Sequence, residues 1–168
     1  MRRARAPSGA RVGTQAPVAL RASATGDVNA ANDAATVQAL VVGVGDSDVR
    51  GHGALRFSGT ARGGTGTLAP KRLRPSRVDV AVLRRGGAGC GWLRSRRGDF
   101  AAGRPLAAGD CTGRRWVRAT GRRRWRVELA QRLPAGRYVL FSRTTIDAGM
   151  AEARFSKADR NRVAFRVG

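Results

Sequence analysis

The chain has 168 residues, 42% of them hydrophobic, and a formal net charge of +22 carried by 31 arginines and only two lysines, Lys71 and Lys157, against 11 acids. That length allows one ordinary domain or two small ones, and with three Trp, one Tyr and five Phe the core must be filled mostly by Val, Leu and Ala. No apolar run approaches the roughly 18 residues of a membrane span, and an arginine excess so poor in lysine, beside 23 glycines, reads as GC-rich coding bias before it reads as a phosphate site, for which lysine serves as well.

In chain order, residues 1–14 read as a disordered basic tail, with no apolar segment behind Met1-Arg2-Arg3-Ala4-Arg5 to make an export signal. Residues 15–45 read as a partial β repeat: strands at 18–25 and 35–41 around an Asn/Asp-rich turn at 26–33. The competing local reading is one alanine-rich helix over 28–40, capped by Asp27. Asp46-Ser47-Asp48 reads as a solvated linker turn, and Arg50-Gly51-His52-Gly53, with the only histidine, as another turn.

From residue 49 onward the hydrophobic period is two. A short strand is expected at 55–57. At 77–82, Val78, Val80 and Val82 take one face, with polar or small residues on the other. At 124–129, Trp125, Val127 and Leu129 point inward. Leu133-Pro134-Ala135-Gly136 turns the chain into a strand over 138–145 that brings in Tyr138 and Leu140, and residues 162–167 add Val163 and Phe165. Such strands between Gly-rich turns describe an all-β, antiparallel sandwich of about seven strands. Arg77, Arg124, Arg126, Arg162 and Arg166 fall on outward positions, where arginine covers apolar surface and blunts sheet edges without needing a ligand.

Cys90 and Cys111 have no histidine or further cysteine near them, so a zinc site would lack half its ligands. Two buried free thiols remain one reading. The stronger is a disulfide closing a Gly-rich loop, which contributes about 3 kcal/mol in the chain-entropy model and implies an oxidising compartment, hence an exported protein with its signal on an upstream segment.

Residues 49–168 resemble the immunoglobulin-like and fibronectin type III-like sandwich modules of secreted actinobacterial proteins. The features that carry this are Leu55-Arg56-Phe57-Ser58-Gly59-Thr60-Ala61, Arg77-Val78-Asp79-Val80-Ala81-Val82, the Cys90-x-Trp92 to Cys111 loop, Trp125-Arg126-Val127-Glu128-Leu129, Leu133-Pro134-Ala135-Gly136-Arg137-Tyr138 and the terminal Asn161-Arg162-Val163-Ala164-Phe165-Arg166-Val167. Thr145-Ile146-Asp147-Ala148-Gly149-Met150 departs from the usual turn after the tyrosine strand. Residues 18–42 resemble the closing hairpin of bacterial surface-protein repeats. The resemblance implies a structural spacer and no chemistry by itself.

The inventory for catalysis is poor: one histidine, two glutamates (Glu128 and Glu152), and no nucleophile elbow, zinc-protease helix or phosphate loop. No enzyme activity, cofactor or metal is expected. Asp46-Ser47-Asp48 lacks the further oxygens a hard cation wants. Arg114, Arg115, Arg122, Arg123, Arg124 and Arg126 surround Trp116 and Trp125, a composition that suits polyanion contact and makes nucleic-acid binding the rival reading. Strand parity puts Trp125 in the core and leaves that contact ionic and sequence-blind. The expected role is a non-catalytic spacer or presentation module of an exported, cell-surface or secreted protein. Its partners would be neighbouring domains of a longer chain and anionic wall polymers, with nucleic acid held only non-specifically.

Overall fold

The computed structural model describes residues 45–64, 73–86, 89–107, 109–147 and 149–168, together with the backbone strands β1 (Gln15–Arg21) and β2 (Ala34–Leu40). The expected tail over 1–14 and turn over 26–33 lie outside the described residues. β1 and β2 pair antiparallel, from Gln15 opposite Leu40 to Arg21 opposite Ala34. Residues 34–40 are therefore strand, and the helical reading of that stretch fails: ladder pairing outweighs the helix propensity of alanine.

A second compact unit, Val44–Gly64 with Leu73–Gly168, holds nine further strands. They are β3 (Asp46–His52), β4 (Arg56–Arg62), β5 (Pro75–Gly86), β6 (Gly89–Leu93), β7 (Phe100–Gly103), β8 (Val117–Arg118), β9 (Arg124–Glu128), β10 (Gly136–Ile146) and β11 (Arg162–Val167). Every pairing is antiparallel. One sheet runs β3-β4-β9, the other β11-β10-β5-β6-β7 with β8 also on β5. β4 thus pairs with β9, five strands on, while the central pair of the larger sheet is β5 with β10, and the two antiparallel sheets form a β-sandwich.

The inner faces meet as the period-two pattern requires. Phe57, Trp125 and Val127 from the smaller sheet close on Val78, Val80, Val82, Tyr138 and Leu140 from the larger, with Leu129 just beyond β9. Val163 and Phe165 are half-buried and pack against this core from the edge strand β11. Gly59 lies directly opposite Trp125. A Cβ there would come within 2.4 Å of the indole and 2.0 Å of the Asp48 carbonyl, so the missing side chain is what lets the ring lie down. The Trp125 Nε1–H then donates to the Thr60 carbonyl at 3.1 Å, satisfying the one polar group the ring buries. At the entry to β10 the Tyr138 hydroxyl donates back to the Pro134 carbonyl at 2.6 Å. This is a tyrosine corner, and it fixes how the chain crosses between sheets.

Three expectations are corrected. Asp46-Ser47-Asp48 is the start of β3, not a linker turn, with Ser47 fully buried. Arg50, Gly51 and His52 are the end of β3, bulged between Val49 and Gly51, and the His52 ring lies 5.1 Å from that of Phe165. The outer face of β5 is not solvated. Ala81 and Leu83 are fully buried there and Asp79 nearly so, in a second apolar cluster with Trp92, Val139 and Phe141, covered by Cys90, Cys111, Trp116 and Phe155. Short, glycine-interrupted segments supply the strands that went unforeseen, β6, β7 and β8, where period counting has too few residues to register.

Candidate polyanion-contact surface

Cys90 sits on β6, opposite Arg85 of β5 and Gly103 of β7, and is bonded to Cys111 with the two Cα atoms 6.3 Å apart. The bridge fastens the segment after β7 over the outer face of the larger sheet. Trp92 completes the fastening: its Nε1–H points at the Cys111 and Thr112 carbonyls, at 3.1 and 2.9 Å.

Arg114 is drawn into this layer. It pairs with Asp110, and its guanidinium lies 4.6 Å from the Phe141 ring centre, 5.2 Å from Phe155 and 5.4 Å from Trp92. Arg143 lies 4.1 Å from Trp116 and shares the buried Asp79 carboxylate with Arg77, at 3.3 and 3.0 Å. These guanidinium–aromatic stacks lie against Trp116 and Phe155, which are half-buried. Arg114 and Trp116 are thus occupied with the outer cluster and stand apart from the other basic residues proposed for polyanion contact.

Arg115, Arg122, Arg123, Arg124 and Arg126 are exposed. Gly121 turns the chain between β8 and β9 at φ 87°, and a Cβ there would meet the Arg124 carbonyl at 2.1 Å. The turn therefore requires glycine, and it lifts Arg122 and Arg123 out at its tip. Arg124 and Arg126 follow at alternate positions on β9, opposite Thr60 and Ser58, above a shallow cleft of about 440 Å³ that Arg50 and Thr120 also line. On the same face Arg50 is paired with Asp48 at 2.8 Å and Arg56 with Glu128 at 3.1 Å. Among the described residues Arg124 and Arg126 have no such carboxylate within 4.0 Å. Trp125, between them in sequence, faces the opposite side and is 2% exposed.

Sequence reasoning gave Glu152 no role, and the structure makes it a hub. Its Oε2 accepts from the Ser47 hydroxyl on β3 at 2.7 Å and from the Thr144 N–H on β10 at 3.1 Å; its Oε1 accepts from the Asn161 amide. Burial pushes the Glu152 carboxyl above its usual range. The three donors oppose that shift, and the Asp46 carboxylate adds to it. No local pattern could have found this site, because Ser47 and Glu152 are 105 residues apart.

Among the described residues no group of three or more His, Cys, Asp and Glu side chains is placed to hold a metal ion, and no helix is long and apolar enough to cross a membrane. Comparison with family models, with curated proteins and with solved structures finds no match to this chain.

Proposed function

We propose that this chain is a non-catalytic structural module of an exported, cell-surface or secreted protein, a spacer or presentation unit between neighbouring domains that adheres by charge to anionic wall polymers. The observation that carries the reading is how the tryptophans are used. Trp92 and Trp125 are buried with their N–H groups donated to carbonyls, and half-buried Trp116 is stacked on by Arg143 within the outer cluster. The exposed arginines are therefore charge without an aromatic platform, which suits a repeating polyanion better than a base-stacking single strand. The disulfide supports an oxidising compartment. The strand order and the tyrosine corner support kinship with immunoglobulin-like or fibronectin type III-like modules, whose sandwiches serve as spacers.

The test is competition. Heparin, a polyol-phosphate polymer and single-stranded DNA, matched in charge, should displace one another on equal terms, and binding should fall by orders of magnitude between about 50 and 200 mM salt if six or more anionic groups are contacted. Base-selective affinity that survives at physiological salt would favour the rival, a basic nucleic-acid-binding protein.

A further inference from the structure

One end of the larger sheet concentrates charge in a way that packing does not explain. Arg137 on β10 lies directly opposite Arg85 of β5 on one side and Arg166 of β11 on the other. Directly opposed residues share a sheet face, so three arginines stand in a row across three strands, about 10 Å from first to last at the usual strand spacing of about 4.8 Å. Like charges in that relation repel and destabilise the pairing. Elsewhere on this face Arg143 and Arg77 are matched by Asp79 and Arg114 by Asp110, while Arg162 and Arg118 lie opposite Phe141 and Asp79, not opposite another arginine. Among the described residues none of the three in the row has a carboxylate within 4.0 Å.

The row borders a cleft of about 500 Å³. Its remaining lining is Gly86, Ala135, Gly136, Val167 and Gly168, which leaves the guanidiniums uncrowded. Arg137 and Arg166 are exposed. Arg85 is half-buried, steadied by the Gly109 carbonyl on its Nη2, while its Nε–H is buried and lacks any acceptor. A fixed inner guanidinium beside two free ones, with no opposing acid and no aromatic ring in the lining, is a receptor for a chain of tetrahedral oxyanions.

We infer that the Arg85–Arg137–Arg166 row is the groove in which this module holds a base-free phosphodiester polymer, such as a polyol-phosphate chain. The inference rests on the polyanion-adhesion reading above and locates it at the end of the larger sheet, away from Arg124 and Arg126. The absence of an aromatic platform decides for a base-free polymer over single-stranded nucleic acid.

The test compares the full chain with two double variants, Arg137→Gln/Arg166→Gln and Arg124→Gln/Arg126→Gln, using synthetic poly(glycerol phosphate) of defined length as the probe and poly(dT) as competitor. The first variant should weaken binding and reduce the slope of log K against log salt by about 1.4, two phosphate contacts' worth, while melting at or above the wild-type temperature because opposed like charges are relieved. The second should weaken binding less than the first, because Arg124 and Arg126 add only exposed charge to the general field. If the second loses affinity and the first does not, the groove is wrong and adhesion by the smaller sheet stands. If wild type fails to bind the polymer at about 50 mM salt, adhesion and groove fall together. A first variant that melts well below wild type makes the row structural and overturns the proposal, and so does poly(dT) binding tighter than the base-free polymer at equal phosphate.

Discussion

Glu152 joins the two sheets and the segment leading into β11, and its removal has a calculable effect. In Glu152→Ala the Thr144 N–H, which has no other acceptor among the described residues, would be left buried, at about 1–3 kcal/mol. Ser47 keeps its bond to Ser142 at 3.0 Å, and the Asn161 amide keeps the Arg154 carbonyl at 2.8 Å, so each loses one of two bonds, about 1 kcal/mol apiece. Relief of a half-buried negative charge offsets part of this, leaving a net loss of about 2–4 kcal/mol, or a melting temperature lower by roughly 10 °C for a domain of this size. Glu152→Gln should also destabilise, because its amide would set a donor against the Asn161 donor. The pH dependence gives a sharper check. The folded-state pKa of Glu152 is raised by burial, so the folded protein holds that proton more tightly than the unfolded chain. The resulting stability is fully present below the unfolded value and is lost as pH rises through the folded one. The gap in melting temperature between wild type and Glu152→Gln should therefore be widest in mild acid and narrow toward neutrality, read by thermal circular dichroism. A Glu152→Ala protein that melts within a degree or two of wild type, or a gap that widens as pH rises, would refute the reasoning.

Trp125→Ala should cost about 3–5 kcal/mol and unfold the module instead of only weakening polyanion binding; the opposite pattern, an unchanged melting curve with lost base-selective affinity, would favour the nucleic-acid reading. Tyr138→Phe removes the bond to the Pro134 carbonyl and should lower stability by about 1–2 kcal/mol in chemical denaturation, with no change in polymer affinity. Reduction of the Cys90–Cys111 bond should cost about 3 kcal/mol and expose Trp92 to fluorescence quenchers, and alkylation of both sulfurs in unfolded, unreduced protein would show that the bond had not formed. Raising salt from about 0.01 M, where charges interact over about 30 Å, to about 1 M, where the range is about 3 Å, should raise the melting temperature, since a +22 chain is destabilised mainly by self-repulsion.

The inner core was legible because it obeys period two. Val78, Val80 and Val82, then Trp125 and Val127, alternate strictly with outward residues, and a one-residue slip would turn every one of them to the wrong face. The outer cluster was not legible for a complementary reason. A strand buried on both faces reads as a continuous apolar run, and β5 shows such a run only at 80–83, after Arg77 and Asp79 have suggested a wet face. Asp79 stays buried because two guanidiniums from different positions converge on it, and that convergence exists only after β5 and β10 have paired. The same holds for the β3 start: Ser47 looks like linker by composition, yet its hydroxyl meets Ser142, 95 residues away. Long-range polar pairing leaves no trace in local spacing.

The arginine count likewise sorts itself only in three dimensions. Arg114 and Arg143 extend the aromatic outer cluster by stacking on it. Arg96 donates to the Arg118 carbonyl at 2.6 Å and so ties the β6–β7 turn to β8. Arg77 and Arg143 neutralise a buried acid. Each of these uses needs the planar, multi-donor guanidinium and would be poorly served by an ammonium, so part of the arginine excess has been absorbed into the architecture. Of the unmatched charge it leaves over among the described residues, two groupings stand out, the Arg122–Arg126 edge and the Arg85–Arg137–Arg166 row. The first is spread along one strand and its turn, where repulsion is relieved by solvent. The second opposes like charges rung by rung across three strands, with Arg85 half-buried, where a bound counter-charge relieves more repulsion than at the strand edge. That difference in geometry is why the row, and not the more conspicuous arginine run, is where an anionic partner has most to gain by binding.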